Sequence, residues 1–145
     1  MVKLKNMAEI KKNSNVGLER SLTAQDGQRG DCTLYELALK EIREGKLGFE
    51  CWIRYVYPQL KRKGTSQLTD FYGLDGREEA KAYFEHPVLR ERLSKAAQVL
   101  LEIDKPIFGI FSNLGVMKLR TCMRLFASIS DEPVFKQVLR KYGWK

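Results

Sequence analysis

The chain has 145 residues, of which 43% are hydrophobic and 30% charged, a balance that supports one folded domain without help from a metal or a disulfide. A formal net charge of +8 points toward an anionic partner. A single histidine, His86, excludes the His-rich metal sites and the H-E-x-x-H hydrolases, and three cysteines (Cys32, Cys51 and Cys122) have no metal-ligand spacing.

The excess positive charge is uneven: residues 1–30 carry +3, residues 58–66 carry +3 and residues 105–145 carry +6, while the intervening segments are slightly acidic. No long apolar run spans a membrane, and the lysine-containing N-terminus lacks the apolar stretch of a secretory signal. The expectation is a cytoplasmic protein with reduced thiols. Cys122 and Cys51 lie beside apolar residues and are expected to be buried packers.

Residues 1–30 show no sustained apolar period and read as a flexible basic tail, with a short helical piece near Leu18–Ala24; residues 31–145 read as the helical domain. Thr33 followed by Glu36 forms a capping box. Tyr35, Ala38, Leu39 and Ile42 then recur at helical spacing until Gly45 stops the helix. A second helix is expected over Phe49–Tyr57, ended by Pro58, and a long surface loop over Leu60–Gly73. Asp75 reads as an N-cap with acids following it in the first turn, and Gly73-Leu74-Asp75-Gly76 as a turn without phosphate-loop spacing. Pro87 suits the first turn of a helix striped by Leu89, Leu93, Ala96, Ala97, Leu100 and Leu101. Beyond a compact apolar loop at 107–111, a fifth helix carries Val116, Leu119, Met123 and Phe126, and a sixth starts at Asp131-Glu132-Pro133. No strand ladder is expected. The fold class is all-α, a compact arrangement of about six helices.

The ordered set Tyr35-Glu36-Leu37-Ala38-Leu39, Trp52, Pro58-Gln59-Leu60, Tyr72-Gly73-Leu74, His86-Pro87-Val88-Leu89, Lys118-Leu119-Arg120 and Leu125-Phe126 resembles the bacterial domain of unknown function 1810 family, over roughly residues 31–142. The resemblance implies a compact multihelical domain with no assigned activity; the label calpastatin that members often carry has no support in these residues. Cys51, Arg54, Gly115-Val116 and Arg124 depart from the family pattern, which lowers the expectation of an inherited enzyme.

Arg54 is the odd residue in Cys51-Trp52-Ile53-Arg54-Tyr55-Val56-Tyr57. It reads either as a helix-edge partner of Glu50 or as one of several cations around an anion. Arg120 and Arg124 are one helical turn apart. The candidate ligand-binding residues are Arg54, Tyr55, Gln59, Lys118, Arg120 and Arg124, with Lys61, Arg62 and Lys63 as a basic surface; no catalytic residue, metal or cofactor is assigned. His86 reads as a helix-start residue, and a Cys51/His86 nucleophile pair has nothing in the sequence to support it. The leading expectation is a non-enzymatic module binding an anionic ligand or nucleic acid. The alternatives are a phosphorylated or nucleotide-like ligand in a pocket lined by Trp52, Tyr55, Gln59 and Lys118, or a protein-interaction scaffold.

Overall fold

The computed structural model describes residues 14–48, 52–61 and 71–144. Among them seven α-helices follow the chain: α1 (Ser14–Gln25), α2 (Leu34–Glu44), the single turn α3 (Ile53–Val56), α4 (Gly76–Glu85), α5 (Pro87–Glu102), α6 (Asn113–Ile129) and α7 (Pro133–Tyr142). The expected all-α class holds. One small correction is an antiparallel hairpin, β1 (Gln28–Arg29) with β2 (Cys32–Thr33), turned through Gly30 at a positive φ of 67°.

Helix α2 begins as its sequence dictates. Thr33 Oγ1 accepts the Glu36 N–H at 3.1 Å, and the Glu36 carboxylate accepts the Thr33 N–H at 2.9 Å. Its stripe of Tyr35, Ala38, Leu39 and Ile42 is buried, and Gly45 closes it in the left-handed region at φ 72°. Helix α5 is central, because α2, α3, α4 and α7 all pack against it. Its expected stripe is buried from Leu89 to Leu100. Helices α4, α6 and α7 meet around Phe126, whose ring lies 5.7 Å from Tyr83, 6.0 Å from Phe84 and 5.9 Å from Phe135.

Three local expectations change. The expected tail over 1–30 is folded from Ser14 onward; residues 1–13 lie outside the described residues. Leu18, Ser21 and Gln25 bury one face of α1, and α1 packs on α3, α4 and α2. The helix expected over 49–57 is one turn, Ile53–Val56, with Phe49, Glu50 and Cys51 outside the described residues. Asp75 occupies the N-cap position of α4 but caps nothing with its side chain. Instead its backbone N–H donates to Glu79 Oε1 at 2.7 Å, so the capping oxygen comes from within the helix. Of the expected loop at 60–73, residues 62–70 are not described; Leu60 pairs with Leu74 in an isolated parallel bridge.

Candidate functional site

Every residue from Trp52 to Gln59 is buried except Arg54, which is half-exposed. The hydrophobic members are held by specific partners. Trp52 Nε1 donates to Glu41 Oε1 at 3.3 Å, and the Tyr57 hydroxyl donates to the Ala96 carbonyl at 2.8 Å. Tyr55 packs its ring 5.0 Å from Tyr72. Burial raises Tyr57 well above the usual tyrosine range, so its hydroxyl is a fixed donor at neutral pH. Arg54 is thus the one polar outlet of an otherwise apolar segment, as its helical spacing from Trp52 implied. Its expected partner Glu50 is outside the described residues.

Gln59 is 7% exposed, and its Oε1 has no hydrogen-bond partner among the described residues. A buried carbonyl oxygen without a donor costs free energy, about 1–3 kcal/mol. Lys61 is exposed at the end of the same segment, with Gly73 against it; a Cβ on Gly73 would meet Lys61 Cα at 3.0 Å, so the two strands of chain approach backbone to backbone. Arg62 and Lys63 lie outside the described residues.

Helix α6 carries the other three expected residues. Arg120 and Arg124 are both exposed, about 40° apart around the helix at 100° per residue. Lys118 is half-buried and lies about 200° from Arg120, on the other flank of the buried Val116–Leu119–Met123 stripe. The structure therefore keeps Arg120 with Arg124 as one surface pair and sets Lys118 apart from them.

Residues with a conspicuous chemical type elsewhere have structural duties. His86 is the N-cap of α5, its Nδ1 accepting the N–H groups of Val88 at 3.3 Å and Leu89 at 3.4 Å. Cys122 is fully buried, and burial pushes its thiol well up from its ordinary range, as expected of a packing residue. Among the described residues no group of three or more His, Cys, Asp or Glu is placed to hold a metal ion, and no helix is long and apolar enough to cross a membrane.

Two polar assemblies escaped the sequence reading. In the first, Arg20 of α1 donates to Glu79 Oε1 at 2.9 Å and to the Gly73 carbonyl at 2.8 Å, clamping α1 to the start of α4. Burial alone would raise the Glu79 carboxyl; the Arg20 hydrogen bond, the Asp75 N–H and the charges of Arg20 and Lys61 together pull it below its ordinary value. In the second, Arg77 and Lys81 of α4 face Lys136 of α7 across an open cleft. Nothing in local periodicity joins these residues, since each assembly unites helices far apart in the chain.

The family model described as Protein of unknown function (DUF1810) matches residues 15–144. The conserved hypothetical protein Rv1873 from Mycobacterium tuberculosis, known from a crystal structure, is 32% identical, with a TM-score of 0.77; the match covers 88% of this chain and 89% of that one. No curated protein matches the chain. The matched span starts at α1, so the helix that the sequence reading placed in a tail is part of the shared domain. The protein belongs to the DUF1810 family.

Proposed function

We propose that this family member is a non-enzymatic binding module for an anionic partner, held on its basic surface. The observation that carries the reading is the outer face of α6. Arg120 and Arg124 stand exposed one turn apart, and no acidic residue occurs between Asn113 and Ile129. Planar guanidinium groups so spaced grip phosphate or carboxylate oxygens in pairs. The +6 carried by residues 105–145 makes the C-terminal quarter of the chain, which includes α6, attractive to polyanions. Arg54 and the exposed Lys61 add further cations in this reading; Arg62 and Lys63 lie outside the described residues.

Fluorescence anisotropy with a labelled short RNA tests it. Binding should weaken linearly in log–log form as salt rises, and the double change Arg120→Gln/Arg124→Gln should remove most of it. Affinity unaffected by that change would rule out the α6 face.

A second reading has one observation in its favour. The unpaired Oε1 of Gln59, buried in the segment that carries the Tyr55–Tyr72 ring pair, is the kind of polar anchor that orients a small ligand in an apolar pocket. In that reading Tyr55, Gln59 and Lys118 hold a phosphorylated or nucleotide-like molecule. Stabilisation by one nucleotide that persists at moderate salt and disappears in Gln59→Leu would favour the pocket over the surface.

A further inference from the structure

Where α4, α6 and α7 come together, a cleft of about 480 Å³ is lined by Arg77, Lys81, Ser128, Ser130, Asp131 and Lys136, with Ala127 and Ile129 as its apolar edge. Its charges are placed where the fold by itself disfavours them. Arg77 and Lys81 are one turn apart on α4, so they repel. Arg77 is the second residue of α4 and Lys136 sits in the first turn of α7, so both cations stand at the positive end of a helix dipole. The α7 N-cap, Glu132, makes no side-chain capping bond. Among the described residues no ion pair neutralises Arg77, Lys81 or Lys136.

The two serines fix this arrangement and do not relieve it. Ser128 Oγ gives its proton to the Leu125 carbonyl at 2.7 Å and accepts Arg77 Nη1 at 3.2 Å, which pins the guanidinium at the rim and leaves its other N–H groups available. Ser130 Oγ donates to the Phe126 carbonyl at 2.8 Å and accepts the Glu132 N–H at 3.4 Å, which sets the turn that delivers Lys136.

We propose that this cleft binds the phosphoryl group of a small molecule. Three cations against the single acid Asp131 leave a lining charge that matches a phosphoryl dianion, which carries about −1.5 to −2 at neutral pH, and exceeds what one carboxylate could neutralise. The anion would also offset the two helix dipoles that the cations oppose. The cleft is larger than a phosphoryl group needs, and its Ala127–Ile129 edge suits a short organic substituent, so a phosphomonoester fits better than free phosphate. The site is independent of Arg120 and Arg124, which do not line it.

The test is calorimetry and thermal unfolding of the full chain at moderate salt, with glycerol phosphate, inorganic phosphate and acetate as probes. Both phosphate probes should raise Tm, and acetate should not. Lys81→Gln/Lys136→Gln should weaken phosphate binding by roughly tenfold or more. Because both lysines are exposed and make no ion pair among the described residues, the same variant should unfold no earlier than the native protein in phosphate-free buffer. Arg120→Gln/Arg124→Gln should leave the response intact. Tighter binding of glycerol phosphate would assign the ester as the source, and tighter binding of inorganic phosphate the free anion; either upholds a phosphoryl site. No response to either phosphate probe, an equal response to acetate, or a phosphate response untouched by Lys81→Gln/Lys136→Gln would overturn the proposal.

Discussion

Arg92 Nη1 donates to Gln25 Oε1 at 3.0 Å, joining two residues 67 positions apart in the chain. The same amide donates through Nε2 to the Tyr55 carbonyl at 2.7 Å and to the Tyr83 hydroxyl at 3.2 Å. Arg92 also pairs with Asp26 at 2.8 Å, lies over the Tyr35 ring at 5.5 Å, and offers its own carbonyl to the Tyr35 hydroxyl. One buried amide at the end of α1 therefore links α3, α4 and α5. Gln25→Ala removes the amide donor to the Tyr55 carbonyl and the amide acceptor of Arg92 Nη1, so the link between α1, α3 and α5 is lost. The expected cost is about 1–3 kcal/mol, which for a chain of this size lowers Tm by roughly 2–4 °C per kcal/mol. Denaturant unfolding with an unchanged slope checks it; a loss below measurement error would remove Gln25 from the fold's supports.

Glu79 makes the acid limb of stability predictable. Its carboxyl is held below its ordinary value of 4.5, so the native state prefers it ionised. Its contribution is complete above that ordinary value and is lost as pH falls below it, through the lower native value. Glu79→Gln should destabilise the protein at neutral pH and flatten the acid limb of a Tm-against-pH profile. Parallel acid limbs for the two proteins would contradict the assignment.

At the alkaline end the sign reverses. Burial pushes Tyr35 up to about 12 and raises Tyr57 and Tyr83 well above the ordinary tyrosine value. Their neutral forms belong to the folded state, so their contribution is complete below the ordinary value of 10 and is lost as pH rises through the native values. An ultraviolet titration should show the exposed tyrosines ionising first, and the buried ones only together with loss of far-ultraviolet helix signal. Full tyrosinate formation with the helices intact would show that these hydroxyls are not sealed.

The His86 ring is the N-cap of the central helix. His86→Ala should cost about 0.5–2 kcal/mol, and His86→Asn or His86→Asp should recover much of that, because their side chains cap by the same geometry. Equilibrium urea denaturation separates the variants. Equal losses in all of them would mean that the imidazole acts by packing and not by capping.

Much of the domain was legible because its signals are local. The Thr33–Glu36 capping box, the Gly45 stop, Pro87 at the start of α5 and the stripe from Leu89 to Leu100 each lie within a few residues of the structure they specify. Helix α1 was obscured because two of the three buried positions described in it, Ser21 and Gln25, are polar. A face made of Leu18, Ser21 and Gln25 has helical spacing without a hydrophobic period, so the sequence shows only the short helical piece near Leu18–Ala24 and not the helix from Ser14 to Gln25 packed on the domain. The α3 segment was overestimated for the opposite reason. Its aromatic and aliphatic residues, interrupted only by Arg54, are buried without a helical period, so apolar content there says nothing about helix length.

The candidate sites divide in the same way. Arg120 and Arg124 as a surface pair follow from spacing along one helix, and so does their separation from Lys118. The Arg77–Lys81–Lys136 cleft and the Gln25–Arg92 link do not, because their members come from helices brought together only by packing around Phe126 and α5. By itself the sequence determined an all-helical domain with an excess of cations, since caps, stops and apolar stripes act over one or two turns. Which cations end up facing one another, and which polar side chains are sealed inside, was decided only by the tertiary structure, because charge and hydrogen-bonding groups act through space and not along the chain.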